Sequence, residues 1–298
     1  MGAARLRSAL LRVVVAFAVL PGPVALAREG APPLVTLTKA GAAEGRTVVL
    51  IHGLASNAAV WDATRDALAP DYDLRIAQFA GMAGAPAAEI EGAVLERYTA
   101  ALISALRAEE GRDIVLVGHS MGGAIALKTA LAAPDLVDEL VIVDAVPFLA
   151  ALFFPGVQPA AAAVQGEAMT MGMTAQPRAA FLLQQKAGLR RLLKTEAYRP
   201  VVEDWLERSD QRTVARAMGA LIATDLRSDL SALSQDILVL APWDPTIGLL
   251  KSQVRLLYEA QYAAARSAKV EIVDGAYHFI MIDQPARFLE LLRGALSD

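Results

Sequence analysis

The sequence predicts an α/β protein: a mostly parallel sheet flanked by helices, with one long helical insertion. Three observations carry this. Seven short runs, at 34–39, 47–51, 74–79, 114–118, 140–144, 237–241 and 269–273, are rich in Val, Ile and Leu. Most are continuously apolar rather than alternating, as strands buried on both faces are. Helical periodicity fills the gaps: Ile90, Val94, Tyr98, Leu102 and Ala105 recur at spacings of three and four, and further helices are expected from near Ser120 and Pro285. Strand–helix alternation implies a parallel sheet covered by helices. The alternation fails once, from Pro147 to about Leu233, where Pro and Gly interrupt helix formers and no convincing strand occurs. That stretch is too long for a structureless loop inside a domain, so it reads as a helical subdomain.

The expected organisation is a core of residues 28–146 and 234–298, with 147–233 inserted. Helical patterns in the insertion lie at 179–193, 198–206 and 213–224; Phe148, Leu149, Phe153 and Phe154 open it, and Met169, Met171 and Met173 follow. Residues 1–27 read differently. Arg5, Arg7 and Arg12 precede the apolar run Val13 to Leu20, Pro21 and Pro23 end it, and Ala25-Leu26-Ala27 is a small-x-small cleavage sequence. This is the layout of an export signal, with an apolar run shorter than the ~20 residues of a spanning helix. The expectation is a Sec-type signal peptide and a periplasmic or secreted product beginning at Arg28, without a stable membrane anchor.

Composition narrows the function. The 298 residues are 55% hydrophobic and 20% charged, with a formal net charge of −4. No basic excess exists to neutralise phosphates, so no nucleic-acid partner is expected. Cys is absent, which excludes disulfides, thiol catalysis and Cys-ligated metals. No metal-ligand cluster or phosphate-binding glycine loop is apparent, so no cofactor and no metal are expected.

Gly118-His119-Ser120-Met121-Gly122 is a Gly-x-Ser-x-Gly sequence set between the run Ile114-Val115-Leu116-Val117 and a helix starting Ala124-Ile125-Ala126-Leu127. A sharp strand-to-helix turn there raises a serine hydroxyl above the sheet edge, and the flanking glycines avoid collisions in the tight turn. A serine nucleophile needs a base. The chain has three His: His119 lies inside the turn, His52 ends the run 47–51, and His278 follows the run 269–273 in Gly275-Ala276-Tyr277-His278. Only His278 comes from a separate strand end with freedom to reach Ser120. The base needs an acid to orient it. Asp144 and Asp244 each stand at the carboxyl end of a predicted strand, where α/β sheets build their sites. The order Ser120, Asp244, His278 leaves room for one helix and one strand between acid and base.

These motifs, together with Leu50-Ile51-His52-Gly53-Leu54 and Leu238-Val239-Leu240-Ala241-Pro242-Trp243-Asp244, make the chain resemble the α/β-hydrolase superfamily from Leu34 to Leu296. The resemblance implies that Ser120 is the nucleophile, His278 the base and Asp244 the acid. It further implies that the backbone N–H groups of Leu54 and Met121 form the oxyanion hole, that His52 supports the turn presenting Leu54, and that the insertion caps the site. Two features depart from the superfamily pattern. Gln78-Phe79-Ala80-Gly81-Met82-Ala83-Gly84 lacks both charges of the Asp-x-Arg-Gly-x-Gly sequence common among relatives, and only one strand precedes Thr47.

The function expected is a serine hydrolase cleaving carboxylic esters through an acyl-enzyme on Ser120, acting on a small-molecule ester or amide substrate. Amidases, peptidases and carbon–carbon bond hydrolases share the triad and form the alternative; a non-catalytic binding protein is the third reading. Dehalogenases and epoxide hydrolases of this superfamily use an Asp nucleophile, which Ser120 does not supply.

Overall fold

The computed structural model describes residues 30–42, 44–90, 92–109 and 113–297. The expected export signal at 1–27 lies outside them. Seven strands form one sheet: β1 (Val35–Gly41), β2 (Thr47–Ile51), β3 (Asp73–Phe79), β4 (Val115–His119), β5 (Glu139–Val143), β6 (Asp236–Trp243) and β7 (Ala268–Asp274). Their spatial order is β1-β3-β2-β4-β5-β6-β7. Every pair is parallel except β1 with β3, which is antiparallel, Val35 facing Phe79 and Gly41 facing Asp73. The sheet is thus mostly parallel, as the apolar runs predict.

The helices are α1 (Asp62–Leu68), α2 (Val94–Arg107), α3 (Met121–Ala132), α4 (Ala150–Phe153), α5 (Pro159–Ala175), α6 (Arg178–Leu189), α7 (Arg199–Arg208), α8 (Gln211–Ala223), α9 (Lys251–Gln261), α10 (Ile280–Asp283) and α11 (Pro285–Leu296). Period-two side-chain alternation divides the central strands between two faces. Val49, Ile51, Leu116 and Ile142 pack with Tyr98 and Leu102 of α2 and Ile125 of α3. Val48, Leu50, Val117 and Val141 pack on the other side with Trp61 and with Phe288 and Leu292 of α11. The helix expected from Ile90 starts only at Val94: Gly92 has φ +76° and the N-cap Ala93 is extended, so Ile90 is buried ahead of the helix.

Residues between β5 and β6 fold as helices α4 to α8. Helix α5 is not apparent in the sequence, because it is Ala-rich with glycines at 166 and 172 and shows no clear apolar stripe. Its pairing with α8 explains the composition. A Cβ at Gly166 would stand 2.3 Å from the carbonyl oxygen of Gly219, and one at Gly219 would stand 1.9 Å from Oγ1 of Thr170. The backbones therefore meet at two glycines, and the Thr170 hydroxyl donates to the carbonyls of Gly166 at 3.0 Å and Ala215 at 3.3 Å. Gly219→Val is expected to force these helices apart and to lower unfolding stability by about 1–3 kcal/mol. A urea midpoint equal to that of the wild type would contradict this crossing. Among the described residues no helix is long and apolar enough to cross a membrane.

Candidate active site

The site is built at the carboxyl ends of β2, β4, β5 and β7. Ser120 follows β4 and opens α3 with φ 55° and ψ −119°, a conformation costly for a residue with a Cβ. The turn exists because its neighbours lack side chains: a Cβ at Gly122 would lie 2.3 Å from the Ile51 carbonyl oxygen, and one at Gly118 2.4 Å from that of Gly122. Asp144 follows β5 and also has positive φ, 43°. Two strained residues thus stand at adjacent strand ends, as they do where a site dictates backbone geometry.

The ring of His278, in the loop after β7, is tied to Asp144: Nδ1 lies 2.5 Å from Oδ2. The carboxylate accepts, so Nδ1 carries the proton and Nε2 is left as the acceptor. Ser120, Asp144 and His278 line one cavity of about 280 Å³, together with Met121, Tyr258, and Leu149, Leu152, Phe153, Leu192, Met218 and Leu221 of the segment between β5 and β6.

The geometry corrects the expectation for the acid. Asp244 does not meet His278. Its carboxylate accepts from the Lys194 ammonium at 2.5 Å and from the backbone N–H and hydroxyl of Thr246. Sequence spacing left both aspartates at strand ends, but only Asp144 turns toward the imidazole, while Lys194, fifty residues upstream of Asp244, occupies the other. The nearby Asp283 carboxylate accepts from the backbone N–H groups of Lys194, Thr195 and Tyr277 and from the Thr195 hydroxyl. Asp244 and Asp283 therefore clasp residues 194–195, between β5 and β6, onto the loop that carries His278.

That clasp is ionic across the ordinary pH range. Lys194 and then Thr246 hold the Asp244 carboxyl down to about 2, and hydrogen bonding to Asp244 raises the Lys194 ammonium above its usual value. A depressed carboxyl contributes stability above its unfolded value of ~3.9 and loses it as pH falls through the folded value. Lys194→Met is therefore expected to destabilise the protein equally at pH 5 and pH 8, with the difference from wild type shrinking between about pH 4 and pH 2. Thermal unfolding of both proteins across that range checks it; a difference that vanishes already at pH 6 would be incompatible with this pair.

The other two histidines are structural. His52 accepts the Phe79 N–H at Nε2, 3.2 Å away, so its Nδ1–H donates to the Gly53 carbonyl at 2.7 Å. Burial pushes its ionisation down to about 4, keeping the ring neutral. It thereby braces the turn carrying Leu54, as expected. His119 is also fully buried and held well below the usual imidazole range, first by burial and then by the His278 charge. Its Nε2 lies 3.0 Å from the His278 carbonyl oxygen, and its ring packs 4.5 Å from that of His278, so it supports the loop that carries His278.

Sequence reading missed what replaces the absent Asp-x-Arg charges. Gln78 accepts the Ala58 N–H at 2.9 Å and donates to the carbonyls of Phe79 and Met82. The Met82 sulfur accepts the Ala55 N–H at 3.4 Å, where Ala55 has φ 51°. A neutral amide and a thioether thus tie down the turn after β2. The signal was present in the uncharged stretch 78–84, but its partners lie in a different loop. The N–H groups of Leu54 and Met121 have no acceptor among the described residues. Among the described residues no group of three or more His, Asp or Glu is placed to hold a metal ion.

A seven-stranded sheet with this order, a strained serine between strand and helix, and a histidine–aspartate pair beside it define a hydrolase class of fold. The chain belongs to the alpha/beta hydrolase family, whose pattern it matches over residues 48–291. It is similar to the pimeloyl-[acyl-carrier protein] methyl ester esterase of Aeromonas hydrophila, 29% identical over 262 residues that cover 84% of this chain and 94% of that protein. Among solved structures it resembles a hydrolase from Pseudomonas aeruginosa, with TM-score 0.73, 20% identity and coverage of 89% and 94% of the two chains. An esterase from Rhodococcus sp. ECU1013 superposes with TM-score 0.68 at 20% identity, over 89% and 94% of the chains.

Proposed function

We propose that this protein is a serine ester hydrolase in which Ser120 is the nucleophile, His278 the base and Asp144 the acid. The single observation that carries the reading is the His278 Nδ1–Asp144 Oδ2 bond inside the cavity that Ser120 opens into. With its Nδ1 proton held by the carboxylate, the imidazole presents an unprotonated Nε2 for the Ser120 proton. Ser120 Oγ attacks the ester carbonyl carbon, and the proton passes to His278. The carbonyl oxygen gains the negative charge, which the N–H groups of Leu54 and Met121 receive. Collapse expels the alcohol with the proton from His278 and leaves an acyl group on Ser120. Water, deprotonated by His278, then releases the acid and restores the serine.

The cavity supports a substrate class as well. Apart from Ser120, Asp144, Tyr258 and His278, its side chains are Met, Ala, Val, Leu and Phe. Among the described residues the lining has no charged side chain other than Asp144, whose two oxygens are engaged by His278 and Tyr258, so the buried part of the substrate is neutral and apolar. The similarity to a methyl ester esterase supports ester over amide cleavage. Residues 147–233 act in this reading as the cap, and export through residues 1–27 belongs to the same proposal.

The test has two arms. A fluorophosphonate probe should label the protein, with the adduct on the peptide containing Ser120, which a binding protein of this fold would not give. A panel of neutral esters, anionic hemisuccinate esters, amides and lactones should show neutral esters turned over fastest. Amide cleavage exceeding ester cleavage, or no labelling, would overturn the reading.

A further inference from the structure

His278 uses one oxygen of Asp144; the other is taken by a residue with no part in the triad. The Tyr258 hydroxyl donates to Asp144 Oδ1. Tyr258 lies on α9, and residues at 258, 261 and 262 share one helix face. All three fasten the segment leaving β5. Tyr262 donates to the Ala145 carbonyl at 2.9 Å, and the Gln261 amide accepts from Phe148 N–H at 3.2 Å and donates to Phe148 O at 3.3 Å. Asp144 itself stands at φ 43°, so its own backbone preference does not hold it there.

We propose that Tyr258 is a positioning residue for catalysis, fixing the Asp144 carboxylate so that its other oxygen faces His278 Nδ1 and sharing part of its negative charge. This rests on the triad assigned above. Tyr258 is only 6% exposed, and burial, followed by the Asp144 charge, raises its phenol well above its ordinary range. It stays protonated where the enzyme works and can only donate to a carboxylate. Asp144 faces His278, Tyr258 and, at longer range, Tyr262; His278 faces Asp144 and His119. Among the described residues no Lys or Arg pairs with Asp144, so the phenol is its one strong donor besides the imidazole.

Removing the hydroxyl has two consequences. The carboxylate loses a restraint on its rotation, which misaligns the base and lowers turnover. Its charge is also no longer shared, so it holds the imidazolium more strongly, and the base stays protonated to higher pH. Tyr258→Phe keeps the ring and the cavity wall. On a short water-soluble ester it should lower kcat roughly ten-fold, the size of a charge-assisted hydrogen bond, with KM within about two-fold. The rising limb of the kcat–pH profile should move up by about half a unit, and the downfield proton resonance of the His278–Asp144 bond should shift. In an Asp144→Asn background, Tyr258→Phe should add less than about two-fold, because it acts through that carboxylate.

Site-specific 3-fluorotyrosine at position 258, which preserves shape and folding while strengthening the donor, should move the limb down. Unchanged kcat and limb in both variants would overturn the proposal. So would a lower kcat with limb and resonance unmoved, which marks a merely structural role, or a KM change that grows with acyl length at constant kcat, which marks a cavity wall. Full activity in Ser120→Ala or Asp144→Asn would instead defeat the underlying triad.

Discussion

Asp144→Asn is expected to lower turnover by at least ~10², while Asp244→Asn keeps most of it. An amide at position 144 preserves shape, but it can offer its N–H₂ to the imidazole and stabilise the tautomer whose Nε2 carries the proton. That ring cannot take the proton of Ser120; in one well-studied serine protease the same change in the triad acid cost about 10⁴. Asp244→Asn acts elsewhere. It weakens the contact with Lys194 and leaves the His278–Asp144 bond in place, so its effect should appear in stability and in KM before it appears in kcat. Steady-state kinetics of both variants on one neutral ester, with circular dichroism to show that each is folded, settles the matter. If Asp244→Asn is the crippled variant, Asp144 is not the acid and the site must rearrange before reaction.

Ser120→Ala should abolish fluorophosphonate labelling and reduce turnover by about 10³ or more, leaving only what the oxyanion N–H groups and substrate binding supply. The protein should remain as stable as the wild type. Among the described residues the hydroxyl has no hydrogen-bond partner, and alanine carries the same Cβ into the same φ 55° conformation. Ser120→Gly should instead be more stable by about 1 kcal/mol, because glycine relieves that strain. Thermal unfolding of the three proteins separates the hydroxyl's chemical role from the backbone cost of presenting it. Labelling that persists in Ser120→Ala would place the nucleophile elsewhere.

The sequence by itself determined the sheet. Its central strands β2, β4 and β5 are buried on both faces and are therefore almost continuously apolar, a local composition readable without the tertiary context; the runs at 47–51 and 140–144 match β2 (Thr47–Ile51) and nearly all of β5. It determined the strand–serine–helix turn for a similar reason, since glycines at 118 and 122 are demanded by backbone approaches within the turn and by β2 beside it. Helix α5 was hidden because its contacts are backbone to backbone at Gly166 and Gly219, which leaves no apolar period to read.

Only the tertiary structure distinguishes the surroundings of Asp144 and Asp244. Both follow strands that end at the same edge, and chain spacing cannot say which carboxylate another side chain has already claimed. Lys194 arrives at Asp244 from the helical segment between β5 and β6, and Tyr258 arrives at Asp144 from a helix 114 residues downstream. A carboxylate's role follows from the donors that reach it, and those donors are set by packing between segments far apart in the chain.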